Sequence, residues 1–180
     1  MFIECLQRHL AVCSLAELPS FTKRDPKFWN VISLLGPRTQ RPISTYFKVH
    51  YRAHFDDVCA PTSSNMGVEV VVSAPTMCGI LKFVDDRPSQ PILVHCVMGI
   101  SRSPATALVL LLRGLIAAGV RNPADVGLET LITIRPQARP NPLVLKTGLE
   151  CFLTESEAKL LTAQVLEHLR DFGSTISDSA

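Results

Sequence analysis

A chain of 180 residues has room for one core of ordinary size, so a second independent domain is not expected. With 47% hydrophobic and 19% charged residues, it is too apolar for a disordered chain and too often interrupted by charge for a multi-span membrane protein. Eighteen Lys and Arg against sixteen Asp and Glu give a formal charge of +2 with no basic run, which excludes a sequence-independent grip on nucleic-acid phosphates.

The start, Met1-Phe2-Ile3-Glu4-Cys5, puts an acid where a secretory signal needs cations and a continuous apolar stretch, so a cytoplasmic chain is expected. Leu10 to Cys13 reads as a short strand, after which Ser14 caps a brief helix running through Leu18 toward Pro19. Val31-Ile32-Ser33-Leu34-Leu35, closed by Gly36-Pro37, has the apolar run of a strand buried on both faces. Tyr46 to Phe55 continues the β pattern, and the turn formers from Asp56 to Asn65 mark a loop. Met77, Ile80, Leu81 and Val84 then form the stripe of an amphipathic helix whose other face carries Lys82 and Asp85.

Ile92-Leu93-Val94 is again a buried strand, and Ser101 to Ala118 reads as the central helix. Its apolar stretch, Ala105 to Val120, is broken by Arg113 and Gly114 and falls short of the roughly 20 residues of a bilayer span, so no membrane partner is expected. Asn122-Pro123 and Asn141-Pro142 each combine a cap with proline at the first helical position, the first opening a helix toward Ile134. Thr154 and Glu157 form a capping box for a last helix through Leu169. Strands alternating with helices predict an α/β fold: a single domain over residues 1–172, a central, mostly parallel sheet flanked by helices, and a frayed tail over 173–180.

Six cysteines (Cys5, Cys13, Cys59, Cys78, Cys96, Cys151) show no CxxC spacing. The HxxxH pair His50/His54 lies on a β-type segment that would hold the two rings too far apart to share a metal. Neither a disulfide framework nor a zinc site is expected, and no cofactor.

The chemistry lies in His95-Cys96-Val97-Met98-Gly99-Ile100-Ser101-Arg102-Ser103. A buried strand ends in a cysteine, a tight loop with a central glycine follows, and an arginine opens a long helix. The backbone N–H groups of Val97, Met98, Gly99, Ile100, Ser101 and Arg102 can converge there on one oxyanion, toward which the helix N-terminus points its positive end. The Arg102 guanidinium adds a planar, two-pronged donor that a lysine could not imitate. A free thiol is only about 3% ionised at neutral pH, so a nucleophilic Cys96 needs the loop N–H groups, Arg102 and the Ser103 hydroxyl to hold its thiolate.

This HC-x5-RS segment after an apolar strand resembles the signature of the cysteine-dependent protein tyrosine and dual-specificity phosphatases. Arg135-Pro136-Gln137-Ala138-Arg139-Pro140-Asn141-Pro142 is similar to the RPxxxPN stretch of the dual-specificity branch. In outline the chain is most similar to small bacterial tyrosine-phosphatase-like proteins over roughly residues 10 to 170. It departs from the phosphatases with large substrate-recognition domains, whose acid loop carries a WPD triplet absent here.

The resemblance implies a phosphate-binding loop between the buried strand and the central helix, with Cys96 as nucleophile and Arg102 as phosphate ligand. Ser103 would stabilise the leaving thiolate, and His95 would orient the loop by hydrogen bonds. One acid from the Asp56-Asp57 pair, about 40 residues upstream, would be the general acid. The bacterial relatives carry one aspartate followed by an aliphatic residue there, which Asp57-Val58 matches. Asn141 is either a plain helix cap or a brace to the phosphate loop. Cys13, Cys59 and Cys78 are expected to be small core residues rather than resolving thiols for Cys96.

The expected activity is hydrolysis of phosphotyrosine, with phosphoserine and phosphothreonine as further candidates, in a phosphorylated protein or small phosphoester. A phospho-ligand binding module without turnover is the alternative; sulfur transfer or arsenate chemistry fits less well because it has no use for the upstream acid. A loop without lysines argues against a phosphoinositide specialist.

Overall fold

The computed structural model describes residues 1–23, 25, 27–39, 47, 49–60 and 69–177, with side chains as far as residue 171. The apolar runs become the strands β1 (Phe2–Ile3), β2 (Arg8–Ser14), β3 (Asn30–Leu35), β4 (Val49–His54) and β5 (Ile92–Cys96). They lie in the order β1-β2-β5-β3-β4, all parallel except the antiparallel β1–β2 pair at one edge. β5 and β3 are buried at every residue, which is what a near-continuous apolar run requires of interior strands covered on both faces.

Alternation along β5 sends its side chains into two separate cores. Ile92, Val94 and Cys96 join the larger core with residues of α2 (Ala74–Asp85), α3 (Arg102–Ala117), α4 (Pro123–Ile134), α5 (Pro142–Leu149) and α6 (Glu155–Ser177). Leu93 joins a smaller core on the opposite face with Ala11, Cys13, Val31, Leu35 and Leu18 of α1 (Leu18–Thr22), bordered by Phe21, Trp29 and Phe47. Helix α3 packs on β5 and carries α4 and α5 against its other sides, which explains burial of every residue from Arg102 to Leu112. A helix held from all sides fixes the position of its own N-terminus, and the site is built there.

The chain-order reading holds for the sheet, α2, α3, α4 and α5. Three segments differ. Residues 15–17 form a turn in which the Ser14 and Glu17 side chains each accept from the other's backbone N–H, and α1 starts only at Leu18 with Pro19 in its first turn. Asn122 makes no side-chain cap, whereas Asn141 and the Thr154/Glu157 box both do. Helix α6 runs on to Ser177, past both Leu169 and the residue 172 boundary, so the tail expected to fray begins helical. Tyr46, the expected loop residues 61–65 and residues 178–180 lie outside the described residues. No helix among those described is long and apolar enough to cross a membrane.

The cysteine expectation holds for Cys13, which is buried in the smaller core, and is overturned for Cys78 and Cys59. Cys78, exposed on α2, forms a disulfide with Cys151 just beyond α5, and Cys59 is exposed rather than part of the core. The two bonded cysteines lie 73 residues apart, on elements that only the packed fold brings together. Disulfides are rare in a reducing cytoplasm, so this bond weighs against the expectation of a cytoplasmic chain. Closing so long a loop should stabilise the fold by about 2–4 kcal/mol through the unfolded chain. Dithiothreitol should therefore lower the denaturation midpoint of the wild type but leave that of Cys78→Ser, already lower, unchanged. Equal midpoints for wild type with and without reductant would contradict this.

Candidate active site

Cys96 is the last residue of β5 and Arg102 the first of α3, and both are buried at the junction. The loop between them turns at Gly99, with φ +69°; a Cβ there would stand 2.6 Å from the Ser14 nitrogen and 2.7 Å from the Cys13 carbonyl carbon, so only glycine fits. The loop carbonyls are all tied outward. Val97 C=O accepts from Leu15 N–H at 3.1 Å, Ile100 C=O from Arg139 N–H at 2.7 Å and Ser101 C=O from Asn141 N–H at 3.2 Å. Gly99 C=O accepts from Arg135 Nε at 3.0 Å, and Met98 C=O from Arg135 Nη2 at 3.4 Å. With the carbonyls turned out, the N–H groups face inward, and Gly99 N–H donates to Cys96 Sγ at 3.2 Å.

Arg135 is itself held by Glu17, whose Oε1 accepts from Arg135 Nη1 at 2.9 Å. The Arg135 bond and the Ser14 N–H hold the Glu17 carboxyl down at about 2, from an ordinary 4.5. Because the folded value is the lower one, this pair's contribution to stability is complete above about pH 4.5 and is lost as pH falls toward 2. The melting temperature of wild type should exceed that of Glu17→Gln at pH 6, with the difference vanishing as pH falls through that window. A difference that does not change with pH would contradict the ion pair as its source.

Around Cys96 Sγ, the Ser103 hydroxyl donates at 3.1 Å from the first turn of α3. Arg102 Nη1 donates to Phe55 C=O at 2.7 Å, while its buried Nε has no hydrogen-bond partner among the described residues and can donate to an oxyanion. Phe55 leads directly into the Asp56-Asp57 loop, so the same arginine anchors that loop beside the signature. Asp57 Oδ1 accepts from Ser101 Oγ at 2.6 Å and from Asn141 Nδ2 at 2.7 Å, and Asp57 Oδ2 lies 3.8 Å from Arg102 Nε. Asp56 turns away: it exchanges bonds with Val70, its N–H donating to Val70 C=O at 2.7 Å and its Oδ2 accepting Val70 N–H at 2.9 Å.

No protein-family model matches the chain, and no curated protein matches it in sequence. Solved structures do. The DUSP15 crystal structure superposes with a TM-score of 0.56 at 18% identity, covering 90% of this chain and 93% of that one. The Yvh1 phosphatase domain from Chaetomium thermophilum gives 0.55 at 19% identity, covering 78% and 88%. PTPMT1, solved in complex with PI(5)P, gives 0.54 at 16%, covering 87% and 94%. This is the dual-specificity phosphatase fold.

In this phosphatase fold the structure gathers Cys96, Arg102, Ser103, Asp57, Asn141 and the Val97–Ser101 backbone at one point. Asn141 does two things at once: its Oδ1 caps α5 by accepting from Leu143 and Val144 N–H at 3.0 Å each, and its Nδ2 holds Asp57. Of the two readings held open for Asn141, the structure has both the cap and a contact to the signature loop, made by its backbone N–H to Ser101 C=O, while the side-chain Nδ2 goes to the Asp57 loop. His95 points to the opposite sheet face from Cys96, where Ser33 Oγ lies 2.5 Å from its Nε2.

Sequence reasoning missed Glu17 and Ser33, and it noted Arg135 without its task. Ser33 left a signal, a hydroxyl inside a fully buried strand that has to find a partner. Glu17 left none, since its partner lies 118 residues away.

Proposed function

We propose that the protein is a phosphomonoester hydrolase that acts through a cysteinyl-phosphate on Cys96, with phosphotyrosine in proteins as its main substrate class and phosphoserine and phosphothreonine as further ones. The observation that carries this reading is the meeting of Asp57 with the signature loop through Ser101 Oγ, Asn141 Nδ2 and Arg102. A loop built only to bind phosphate has no use for a carboxyl group at its mouth, whereas ester cleavage needs a proton donor there.

The substrate phosphoryl group takes the inward N–H groups and the Arg102 Nε, and the Cys96 thiolate attacks phosphorus in line with the ester oxygen. The S–P bond forms as the P–O ester bond breaks, and protonated Asp57 gives its proton to the departing oxygen. Water then attacks the phosphocysteine and yields a proton to the Asp57 carboxylate. The S–P bond breaks, and the Ser103 hydroxyl stabilises the thiolate as it leaves. The exposed Val97 and Met98 side chains give the rim an apolar surface suited to an aromatic leaving group.

The test is a rapid-mixing assay on an aryl phosphate in EDTA. Wild type should turn over, and Ser103→Ala should show a larger pre-steady-state burst because breakdown of the phosphoenzyme slows more than its formation. Retained phosphate binding without any turnover would leave a binding module instead, and a burst no larger in Ser103→Ala would remove Ser103 from the second step.

A further inference from the structure

Behind the signature loop, Ser33, His50 and His95 meet on the sheet face that carries Val31, Leu35 and Leu93, with Arg52 and His54 of β4 on the same face. Ser33 Oγ stands between two imidazoles, 2.6 Å from His50 Nε2 and 2.5 Å from His95 Nε2. Arg52 Nε donates to the far nitrogen of His50, Nδ1, at 3.3 Å. Register explains the grouping: Ser33 pairs with His95 across β3–β5, while His50 pairs with Val31, two residues from Ser33 and on the same face. His95 and Ser33 are fully buried.

Burial holds both imidazoles down to about 4, with Arg52 adding to the effect on His50 and His50 to that on His95, while the Cys96 main chain beside the His95 ring works against it; His95 Nδ1 has no hydrogen-bond partner among the described residues. Both rings are therefore neutral at pH 7, each with one N–H and one lone pair. The other groups facing them are Arg52, opposite Ser33 in register, Cys13 of β2, opposite His95 in register, and the edge of Phe47 beside His50.

We infer that His50, acting through Ser33, decides which nitrogen of His95 carries its proton, and that this positions His95 in the form that favours the Cys96 thiolate. A guanidinium can only donate, so His50 Nδ1 must accept and the His50 proton sits on Nε2. That N–H donates to Ser33 Oγ. The Ser33 hydroxyl hydrogen then goes to its other close partner, His95 Nε2, which must accept. The remaining proton of His95 is left on Nδ1. The reverse order would set the Nδ1–H of His50 against the N–H of Arg52.

With its proton on Nδ1, His95 turns a positive ring edge, rather than a lone pair, toward the Cys96 peptide, and a positive edge there favours the anion. This inference rests on reading Cys96 as the nucleophile. His50 and Ser33 touch no substrate in it; they are positioning residues.

The experiment has two arms on the full chain. In protein labelled with ¹⁵N-histidine, long-range proton–nitrogen correlation spectra assign the His95 tautomer. The expected result is Nδ1–H in wild type, a shift toward Nε2–H in His50→Phe, and retention of Nδ1–H in His50→Gln, whose amide keeps an acceptor for Arg52 and a donor for Ser33.

In the second arm, iodoacetamide labelling of Cys96 is followed by peptide mass spectrometry. His50→Phe and Ser33→Ala should react about three- to tenfold more slowly than wild type at pH 6 and at equal rates at pH 9, with His50→Gln and Ser33→Thr close to wild type. Slowing of the same size at both pH values would indicate a structural defect and overturn the inference. So would an unchanged tautomer in His50→Phe, or an unchanged rate at pH 6. A wild-type Cys96 no more reactive at pH 6 than a free cysteine would overturn the nucleophile reading and this inference with it, while the tautomer arm still reports on the relay itself.

Discussion

Cys96→Ser should reduce turnover of an aryl phosphate by at least about 10⁴-fold while leaving affinity for inorganic phosphate within about threefold. The two effects separate because two sets of atoms do the two tasks. In the proposed mechanism binding belongs to the N–H groups that face inward because the loop carbonyls are held by Leu15, Arg135, Arg139 and Asn141, and to Arg102 Nε; of these the substitution touches only Gly99 N–H, which loses its sulfur acceptor. Bond formation to phosphorus belongs to sulfur alone, and a serine hydroxyl at its ordinary pKa is a poor nucleophile even with the hydroxyl of Ser103 beside it. Titration calorimetry with phosphate and steady-state kinetics read the two separately. Turnover near the wild-type rate would sink the covalent mechanism, and loss of phosphate binding along with turnover would mean that the sulfur also holds the cradle together.

Asp57→Asn should lower kcat/KM on phosphotyrosine or an alkyl phosphate by about 10²- to 10⁴-fold and much less on a nitrophenyl ester, whose leaving group departs as an anion without help. The same substitution should remove the descending high-pH limb of the rate profile, which a general acid imposes as it loses its proton. Asp56→Asn should leave kinetics near wild type, because Asp56 is occupied with both polar groups of the Val70 backbone and turns away from Cys96. The opposite pattern, with Asp56→Asn sensitive to the leaving group and Asp57→Asn not, would reverse the assignment. Asn141→Ala is an informative companion. It removes a donor to Asp57 and the cap of α5 together, so its kinetic loss should resemble that of Asp57→Asn but be smaller, accompanied by a drop in melting temperature of the kind a lost cap produces.

Most local features were read correctly where the chemistry that decides them is local, the side-chain cap at Asn122 being the exception. The buried strands β3 and β5 declare themselves by apolar runs, α5 and α6 by caps that are also found in the structure, and the signature loop by residue types at fixed spacing, because a tight turn needs glycine and a helix N-terminus needs no distant partner to attract an anion. The brief helix placed over residues 15–18 failed for the complementary reason. Ser14 and Glu17 do bond to each other, but Glu17 is also held by Arg135, and that distant contact fixes a turn where local propensity allows a helix. The helix end at Leu169 was set too early: Arg170, Asp171 and Phe172 allow the helix to go on, and it continues through Gly173, a residue that often ends one, to Ser177.

By itself, then, the amino-acid sequence determined the α/β class, the mostly parallel sheet and the place of the signature segment between a buried strand and the central helix, with Cys96, Arg102 and Ser103 within a few residues of one another along the chain. Tertiary structure alone decided the rest. It turned Asp57 rather than Asp56 toward Arg102, joined Cys78 to Cys151, placed the Arg135–Glu17 pair behind Gly99, and set Ser33 between His50 and His95. Each of these depends on the packing of α2, α3 and α5 and on strand register. Contacts between elements far apart in sequence leave no periodicity or spacing from which they could be read.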